Sequence, residues 1–557
     1  RVVRAKDTPN FIGNRIGVFS IASTMYHTEQ FGLGFDEVDA LTGTLIGRAK
    51  SATYRTSDVV GLDTMAHTIK TMDDTLPDDP WHKYFKAPVW LKALIDKGAL
   101  GQKTKAGFFR KKGDVIEVLD LKTQDYRPSA GEASAEAEGA LRQKGWAARL
   151  EALRTSEDKQ AQFMWSCFRD LFHYCAVQLE HIAESARDVD FAIRWGYGWE
   201  QGPFEIWQQA GWMQVAGWIE ADIKAGKTMS DTPLPAWVLA RGDAGVHGAN
   251  GSYSPKANAL VPRSNLAVYQ RQHFPDAIYT ESFDQGTTIF ETDAVRCWHQ
   301  GDSVAILSFK SKMNTIGKGV LDGIHQAIAE AEKNYDALVI WQTGEPFSAG
   351  ADLKDAMPAL AAGRFDEFEQ AVAYFQATSM RIKYALVPVV AAVRGMCLGG
   401  GCEFQMHAAK AVFALESYIG LVEAGVGLLP AGGGLKELAL RSANTAIGGD
   451  VFQQIQTIFE VPAMAKVATS ALEAKEMKLV RATDPVIANK DELLYVAKNE
   501  ALALARSGYR PPMPAKAIRV AGDIGTATIR ALLTNMLEGG FVSQHDVEVA
   551  SRIATVL

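Results

Sequence analysis

The C-terminal half of the chain alternates short apolar segments with amphipathic ones, and this alternation limits the fold more than any other feature. Val304–Phe309 and Ala337–Gln342 have the length and composition of buried strands, and Gly319–Lys333 between them repeats apolar residues at helical spacing. A third apolar segment, Val387–Val393, follows. Alternation of strands and helices predicts a parallel sheet with helical crossovers, so we expect an α/β domain over residues 285–557.

The N-terminal half is dominated by helical spacing and contains a weak internal repeat. Glu37–Gly47 aligns with Asp188–Gly198 at an offset of 151 residues. We therefore predict two copies of one all-α domain, over residues 1–115 and 156–275, joined by a helical connector over residues 116–155. Chance alignment of short helical stretches is the alternative explanation of the repeat.

The first helix of this half has a recognisable start signal. Pro9 suits the first position of a helix, and Thr8 before it is a residue that commonly caps one. We therefore expect the helix to begin at Pro9.

Composition excludes several classes of function. The chain has 557 residues, a net charge of −7 and no block of Lys and Arg, whereas nucleic-acid binding needs clustered positive charge. Its five cysteines show no CxxC spacing, so we expect neither a metal site nor a disulfide framework, which fits a cytoplasmic protein. The longest apolar run, Leu386–Val393, is interrupted by Pro388 and is too short to span a bilayer.

Three features of the C-terminal half point to one site. Pro346–Leu353 and Arg394–Phe404 each follow a predicted strand and are rich in small residues. Glu423 lies twenty residues after Glu403 and precedes the glycine-rich Gly425–Gly434. A glycine-rich turn that opens a helix aims backbone N–H groups and the helix dipole at negative charge. Each feature alone can be explained without a functional site, since triple glycines are usually turns and glutamates are usually solvated. Neither loop matches a phosphate-binding fingerprint.

Taken together, these segments resemble the crotonase (enoyl-CoA hydratase/isomerase) family over about residues 294–440. The motifs that carry the resemblance are KMNTI at Lys312–Ile316, SAGADL at Ser348–Leu353 and GMCLGGGCE at Gly395–Glu403, followed by Glu423. The resemblance implies the α/β crotonase fold for the predicted C-terminal domain. It also implies an acyl-CoA thioester as substrate and no cofactor for the reaction.

The resemblance also assigns roles to individual residues. The backbone N–H groups of Ala349 and Gly400 would bind the thioester oxygen, and Glu403 and Glu423 would hold one water between them. Addition of water to a conjugated thioester develops enolate-like charge on that oxygen and needs both a base and an acid. Family members that only shift a double bond commonly use a single acid, so two glutamates favour hydration of a trans-2-enoyl-CoA.

The acyl-CoA site of the family falls on Ala351, Asp352 and Leu353, which the resemblance therefore implies as substrate-binding residues. Two other functions stay open. One is a different crotonase reaction, such as isomerisation of an enoyl-CoA. The other is a non-catalytic scaffold that binds acyl-CoA or partner subunits.

The N-terminal half resembles the C-terminal helical domain of 3-hydroxyacyl-CoA dehydrogenases. The first copy matches through Asp7–Arg15, Val60–Asp63 and Gly101–Phe109, and the second matches through Gly198–Ile206. The resemblance implies that Asn14 lies by the substrate and the catalytic histidine of the dehydrogenase. Without it, Asn14 would be interpreted as a helix-face amide bonded to backbone.

Two departures from the family pattern qualify this resemblance. Ala52–Arg55 stands where the family usually has Gly-Pro-Phe-Glu, which the second copy retains at Gly202–Glu205. The second copy also has Trp165 at the position of Asn14, so we expect that copy to be structural.

The dehydrogenase of this family needs a nucleotide-binding domain, and the sequence contains no GxGxxG. We expect that domain to precede residue 1 in a bifunctional β-oxidation enzyme that uses NAD. The chain in hand should then hydrate enoyl-CoA without oxidising the product. A homo-oligomer and an associated thiolase are partners that the sequence leaves open.

Overall fold

The computed structural model describes residues 2–273, 275, 282, 284–446 and 450–557. The chain divides into two compact units, of which the first comprises Arg1–Ser264 and the second comprises Asn265–Pro275 and Glu281–Leu557. Part of the predicted boundary between the helical and α/β halves, at residues 276–281 and 283, lies outside the described residues.

The first unit is built mainly from helices. In chain order they are α1 (Gly13–Phe31), α2 (Phe35–Leu41), α3 (Tyr54–Val60), α4 (Leu62–Thr75), α5 (Val89–Asp96), α6 (Ala135–Leu141), α7 (Trp146–Thr155), α8 (Lys159–Ile182), α9 (Ala186–Tyr197), α10 (Pro203–Gln209), α11 (Trp212–Lys224) and α12 (Ala236–Ala240). Two antiparallel sheets accompany them, formed by β1 (Phe109–Lys112), β2 (Val115–Leu119) and β3 (Tyr126–Pro128), and by β4 (His247–Gly248), β5 (Gly251–Ser254) and β6 (Ala259–Val261). The prediction of an all-α half is therefore wrong in this detail.

The predicted connector over residues 116–155 is part of the folded unit. Its first portion supplies β2 and β3, which pair with β1, and its second portion forms α6 and α7. Leu119, Leu141 and Leu150 from this segment are fully or almost fully buried in the core. The sequence predicts a connector here because the many charged residues obscure the periodicity of the apolar ones. The buried leucines nevertheless attach the segment to the core.

Several local features recur at the offset of the predicted repeat. They are the bonds from the N-cap N–H groups of Gly34 and Ser185 to Glu37 and Asp188, and the carboxylate-to-backbone bonds Asp39–Thr53 and Asp190–Phe204. The positive-φ glycines Gly61 and Gly211, before α4 and α11, recur one residue off that offset. The first helix begins at Gly13 rather than at the predicted Pro9, and Thr8 does not cap it. The recurrence supports two copies of one domain, which stays a prediction.

A group of buried polar and charged side chains in the first unit is connected by hydrogen bonds. Asp170 accepts hydrogen bonds from His27 (2.8 Å) and Arg169 (2.8 Å). Trp165, which stands at the position of Asn14 in the second copy, is buried and donates its indole N–H to Asp222 at 2.9 Å. These contacts give Trp165 a structural role in the described unit.

The second unit alternates strands and helices. Its helices are α13 (Ala267–Gln270), α14 (Lys318–Asn334), α15 (Leu353–Ala361), α16 (Phe365–Lys383), α17 (Gly400–His407), α18 (Gly434–Thr445), α19 (Phe452–Ala463), α20 (Ala471–Glu476), α21 (Leu493–Arg506), α22 (Gly522–Glu538) and α23 (Gln544–Val556). Its strands are β7 (Thr287–Glu291), β8 (Val295–His299), β9 (Val304–Phe309), β10 (Ala337–Trp341), β11 (Val389–Leu398), β12 (Lys410–Gly420), β13 (Val467–Ala468) and β14 (Val486–Ile487).

One mixed sheet organises this unit, in the order β13-β12-β11-β10-β9-β8-β7, with β14 paired to β12. Strands β9 to β12 run parallel to one another, whereas β7, β8 and β13 pair antiparallel at the two edges. Apolar side chains cover both faces of the central strands, which explains why β9 and β10 are continuously apolar. Because β10 and β11 are parallel neighbours, the loops that follow them leave the same edge of the sheet.

Among the described residues, no helix is both long enough and apolar enough to cross a membrane.

Candidate active site

The loops that follow β10 and β11 run side by side. Ser348 donates its backbone N–H to Met396 O at 3.1 Å, and Leu398 N–H donates to Ser348 O at 3.0 Å. A Cβ built on Gly350 would lie 3.6 Å from Gly400 N, so the first loop also approaches the first residue of α17. The two glycine-rich segments that were singled out in the sequence are thus neighbours.

Ala349 does not have the free N–H group that was predicted for it. This N–H donates to the carbonyl oxygen of Met313 at 3.1 Å. An amide hydrogen engaged in this way is not available to a thioester oxygen. The assignment of Ala349 as an oxyanion donor is therefore wrong in this structure, because the loop pairs with the turn after β9 at that residue.

Ala351 presents the donor that Ala349 lacks. Ile316 N–H donates to Gly350 O at 2.9 Å, and Asp352 N–H donates to Ile316 O at 3.0 Å. This parallel pairing turns the N–H of the intervening Ala351 away from Ile316, and it has no acceptor among the described residues. Gly400 begins α17, so its N–H has no intrahelical acceptor either.

Glu403 lies in the first turn of α17 and is almost completely buried, with 2% of its surface exposed. Its Oε1 accepts the backbone N–H of Gly434 at 2.9 Å, and Gly432 donates a further backbone hydrogen bond. Burial raises the pKa of Glu403, while the two backbone hydrogen bonds and the positive charge of Lys436 oppose this rise.

Glu423 lies on a single 3-10 turn after β12. A Cβ built on Gly399 would lie 3.2 Å from Glu423 Oε1, so the carboxylate faces the turn into α17. Its Oε2 is inaccessible to solvent and has no hydrogen-bond partner among the described residues. Burial raises the pKa of Glu423, and the negative charge of Glu403 raises it further.

The interaction between these two carboxylates defines what the site can do. Because each raises the energy of ionising the other, the pair titrates as a unit and can hold one proton and one negative charge near neutral pH. Such a pair supplies a base and an acid at one place. With the two free N–H donors beside it, the site has the groups needed to add water to a polarised double bond.

An aromatic side chain packs against this site from α16. The ring of Phe375 stacks on Phe404 with centroids 4.8 Å apart. A Cβ built on Gly400 would lie 2.5 Å from Phe375 Cζ, and one built on Gly432 would lie 2.7 Å from Phe375 Cδ1. The ring therefore fits only because both positions are glycine, and it lies against Gly432 together with Glu403 Oε2.

A buried charge cluster that sequence reasoning missed lies behind Glu403. His407 donates from Nδ1 to Glu403 O at 2.6 Å, and its Nε2 is 2.9 Å from Lys436 Nζ. Lys436 and Lys383 both donate to Glu437 Oε1 at 2.5 Å. Burial, followed by the charge of Lys436, lowers the pKa of His407 to about 4, so this imidazole is neutral at physiological pH.

The three predicted substrate-binding residues lie together at the start of α15. Asp352 caps the helix, since its Oδ1 accepts the N–H of Lys354 at 3.1 Å. Ala351 is exposed and carries the free N–H described above, and Leu353 is 37% exposed. Contact with an acyl-CoA stays a prediction for all three.

Asn14 is exposed in the first turn of α1 in the first unit. Its Oδ1 is 3.5 Å from Tyr197 Oη, and the ring of Tyr197 lies directly on Gly17. Phe11 and Val59 are also exposed, at 58% and 57%. The alternative interpretation, an amide bonded to backbone, finds no such bond among the described residues.

Two family models match this chain. The model described as enoyl-CoA hydratase/isomerase matches residues 299–493, and the model described as the C-terminal domain of 3-hydroxyacyl-CoA dehydrogenase matches residues 11–111. A probable 3-hydroxyacyl-CoA dehydrogenase of Bacillus subtilis is 38% identical over 100% of this chain and 69% of its own length. The chain belongs to the 3-hydroxyacyl-CoA dehydrogenase family.

Other relatives agree with a combination of two regions. A putative fatty acid oxidation complex trifunctional enzyme of Rickettsia felis is 27% identical over 96% of this chain and 68% of its own length. A probable enoyl-CoA hydratase of Mycobacterium tuberculosis is 28% identical over 42% of this chain and 80% of its own length. This member of the family thus combines a dehydrogenase-type helical region with an enoyl-CoA hydratase-like region, and its relatives are enzymes of fatty acid oxidation.

The dehydrogenase family implies NAD, and the described residues do not fit that cofactor. The sheets of the first unit are antiparallel and offer no parallel strand that turns through glycines into a helix. In the second unit, the glycine turn into α17 faces the carboxyl group of Glu423, and the negative charge that Glu423 shares with Glu403 would repel a pyrophosphate. We therefore derive no step that uses NAD from these residues.

Proposed function

We propose that the predicted C-terminal domain, residues 285–557, hydrates trans-2-enoyl-CoA to 3-hydroxyacyl-CoA in fatty acid β-oxidation. The observation that carries the proposal is the interacting pair of the buried Glu403 and the half-buried Glu423, placed beside two backbone N–H groups without acceptors among the described residues. The family match over residues 299–493 supports it.

In this mechanism the thioester oxygen of the substrate accepts hydrogen bonds from Ala351 N–H and Gly400 N–H. These donors stabilise the enolate-like charge that develops when water adds to C3, and each is worth a factor of about 10²–10³ in rate. One carboxylate removes a proton from the water, and the other delivers a proton to C2. Acid–base catalysis of this kind contributes a factor of about 10²–10⁴.

The two glutamates take different parts in the resting site. Glu403 receives two backbone N–H bonds, which favour its charged form, so it is the base. Glu423 has an oxygen without a partner and a negative charge nearby, so it holds the proton and is the acid. After one turnover the proton has passed from Glu423 to C2 and the water proton rests on Glu403. Transfer between the two carboxyl groups restores the starting state.

For the first unit we propose two copies of one helical domain, residues 1–115 and 156–275, that serve the dehydrogenase activity of the whole protein. The recurring caps and carboxylate contacts support the duplication. The family match over residues 11–111 supports placing Asn14 by the 3-hydroxyacyl-CoA. Oxidation with NAD then requires residues beyond those described.

A hydration assay tests the proposal for the second unit. The protein is incubated with trans-2-enoyl-CoAs of several chain lengths, and loss of the conjugated thioester and appearance of 3-hydroxyacyl-CoA are measured. We expect turnover by the wild-type chain and a loss of about 10³-fold in kcat for Glu403→Gln. The matched control is Glu460→Gln, which changes a partly exposed glutamate paired with Lys466 and should leave kcat unchanged.

The same assay separates the alternatives. Interconversion of 2-enoyl-CoA and 3-enoyl-CoA without a hydroxylated product would replace the hydratase with an isomerase. Binding of acyl-CoA without any turnover would leave the scaffold as the remaining function.

A further inference from the structure

The turn after β9 has a strained backbone. Met313 and Asn314 are consecutive non-glycine residues in the left-handed region, with φ angles of 57° and 52°. Each such residue costs about 1–3 kcal/mol and persists only when its surroundings hold it in place. The sequence motif KMNTI contains both residues, and neither has a role in the acid–base chemistry described above.

Three hydrogen bonds hold this turn against the loop after β10. Asn314 donates from Nδ2 to Pro346 O at 2.6 Å, and Ser348 donates from Oγ to Asn314 O at 2.7 Å. The third is the bond from Ala349 N–H to Met313 O at 3.1 Å. The strained turn and the loop therefore form one connected structure, in which both partners supply donors and acceptors.

Ser348 connects this structure to both candidate oxyanion donors. Its Oγ accepts the N–H of Gly350 at 3.1 Å, which fixes the residue before Ala351. A Cβ built on Gly401 would lie 2.7 Å from Ser348 Cβ, so Ser348 also contacts the residue that follows Gly400. Ser348 is fully buried and has no access to a substrate.

We propose that Asn314 and Ser348 are positioning residues that set the separation of the Ala351 and Gly400 N–H groups. The inference rests on the proposed hydratase function. Oxyanion donors act only when they lie about 2.7–3.1 Å from the developing charge. A displacement of about 1 Å can cost about 10²-fold in rate, so the residues that hold two separate loops in register control how well the donors act.

Two variants test this role. Ser348→Ala removes the bonds to Asn314 O and Gly350 N–H. Asn314→Gly removes the bond to Pro346 O and keeps a residue suited to the left-handed backbone. We expect each to lower kcat for hydration about tenfold with KM changed by less than about twofold, because the donors act mainly in the transition state.

The relative affinity for two ligands distinguishes a positioning role from a merely structural one. The affinity for acetoacetyl-CoA as its enolate should fall about tenfold in each variant, since the enolate oxygen needs both donors. The affinity for free CoA, which has no thioester carbonyl, should stay at the wild-type value. Both affinities are measured by calorimetry on the full chain.

The matched control is Ser308→Ala in β9. Ser308 is also buried, donates from Oγ to Trp341 O at 2.7 Å and accepts Trp298 Nε1–H at 3.1 Å. Ser308→Ala therefore removes one donated and one accepted hydrogen bond, as Ser348→Ala does. We expect its kcat and its enolate affinity to be unchanged.

Three outcomes would overturn the proposal: wild-type kcat and enolate affinity in Asn314→Gly, equal losses in Ser308→Ala, or an equal loss of free CoA affinity. If Ser348→Ala does not fold, Asn314→Gly alone decides the matter. Absence of hydration by the wild-type chain would instead be a failure of the proposed function. In that case the enolate and CoA affinities still test the positioning role.

Discussion

The two units each bury a set of groups that could do chemistry, and they treat those groups differently. In the first unit, His247 is 2.7 Å from Asp190 through Nε2 and 2.8 Å from Ser252 Oγ through Nδ1, as in a hydroxyl–imidazole–carboxylate chain. All three are at most 4% exposed, and the imidazole uses both nitrogens. In the second unit, Glu423 Oε2 is buried with no partner among the described residues.

The difference shows how to separate structure from function when both units contain buried polar groups. Saturated groups such as Ser252 and His247 stabilise the fold and have no path to a substrate. An unsatisfied buried carboxylate costs stability, and it persists where another molecule completes its hydrogen bonds. The serine–histidine–aspartate arrangement is therefore interpreted as structural despite its familiar pattern, and the two glutamates are proposed as the site.

The largest expected effect concerns the glutamate pair. Glu423→Gln should lower kcat for hydration about 10³-fold, as Glu403→Gln should, because each removes half of the acid–base pair. The double variant should be no slower than the worse single variant, since both act on one water. Stopped-flow assays of all three variants check this, and losses that multiply in the double variant would argue against a shared water.

The second expected effect is on stability in the first unit. Asp190→Asn removes the charged acceptor that the buried His247 imidazole bonds through Nε2, and loss of a hydrogen bond to a charged group typically costs about 1.5–3 kcal/mol. Denaturant unfolding should show this loss, while the hydration rate of the folded protein stays at the wild-type value. A fall in hydration at temperatures where the variant is folded would contradict the division between a structural and a catalytic set.

The third expected effect is on the pH dependence of stability, and it tests the glutamate pair of the second unit. The pKa of Glu423 is raised in the folded state, so the folded protein holds a proton that the unfolded chain has lost. Its contribution to stability is fully present below the unfolded pKa, near 4.5, and is lost as pH rises through the folded pKa. Glu423→Gln should therefore match the wild type in stability near pH 4.5 and exceed it at pH 9, where the wild type has lost this contribution, by about 1.4 kcal/mol per unit of pKa difference between the folded and unfolded states. If the wild type and Glu423→Gln were equally stable at both pH values, the ionisation of Glu423 would not destabilise the folded protein.

Much of the second unit could be predicted because parallel strands and crossover helices have strong local signals. The strand Val304–Phe309 was predicted with its observed ends, and the helix Gly319–Lys333 lies within α14. The antiparallel edges were missed because β7 and β8 are short and carry polar residues. In the first unit, Thr8 and Pro9 resemble a helix start, but α1 begins at Gly13 after the positive-φ residues Asn10 and Phe11.

The site was predictable to the level of residue type but not of hydrogen bonds. The sequence located both glutamates and the SAGADL loop, yet it placed the donor at Ala349, whose N–H is engaged by Met313. Which amide of a loop is free depends on a tertiary contact with the turn after β9, and no local pattern encodes that contact. The proposed roles of Asn314 and Ser348 escape sequence reasoning for the same reason, since the hydrogen bonds of Asn314 to Pro346 and Ser348 join residues more than thirty positions apart.

The smallest expected effect belongs to Asn14. Its side chain is exposed and lies 3.5 Å from Tyr197 Oη, so Asn14→Ala should change the free energy of unfolding by less than about 0.5 kcal/mol. Hydration should also be unchanged, because Asn14 belongs to a different unit from Glu403. In a protein that also carries the nucleotide-binding domain of the family, the same change should lower NAD-dependent oxidation of 3-hydroxyacyl-CoA. An equal fall in hydration would make Asn14 a structural residue, and unchanged oxidation would remove its proposed role.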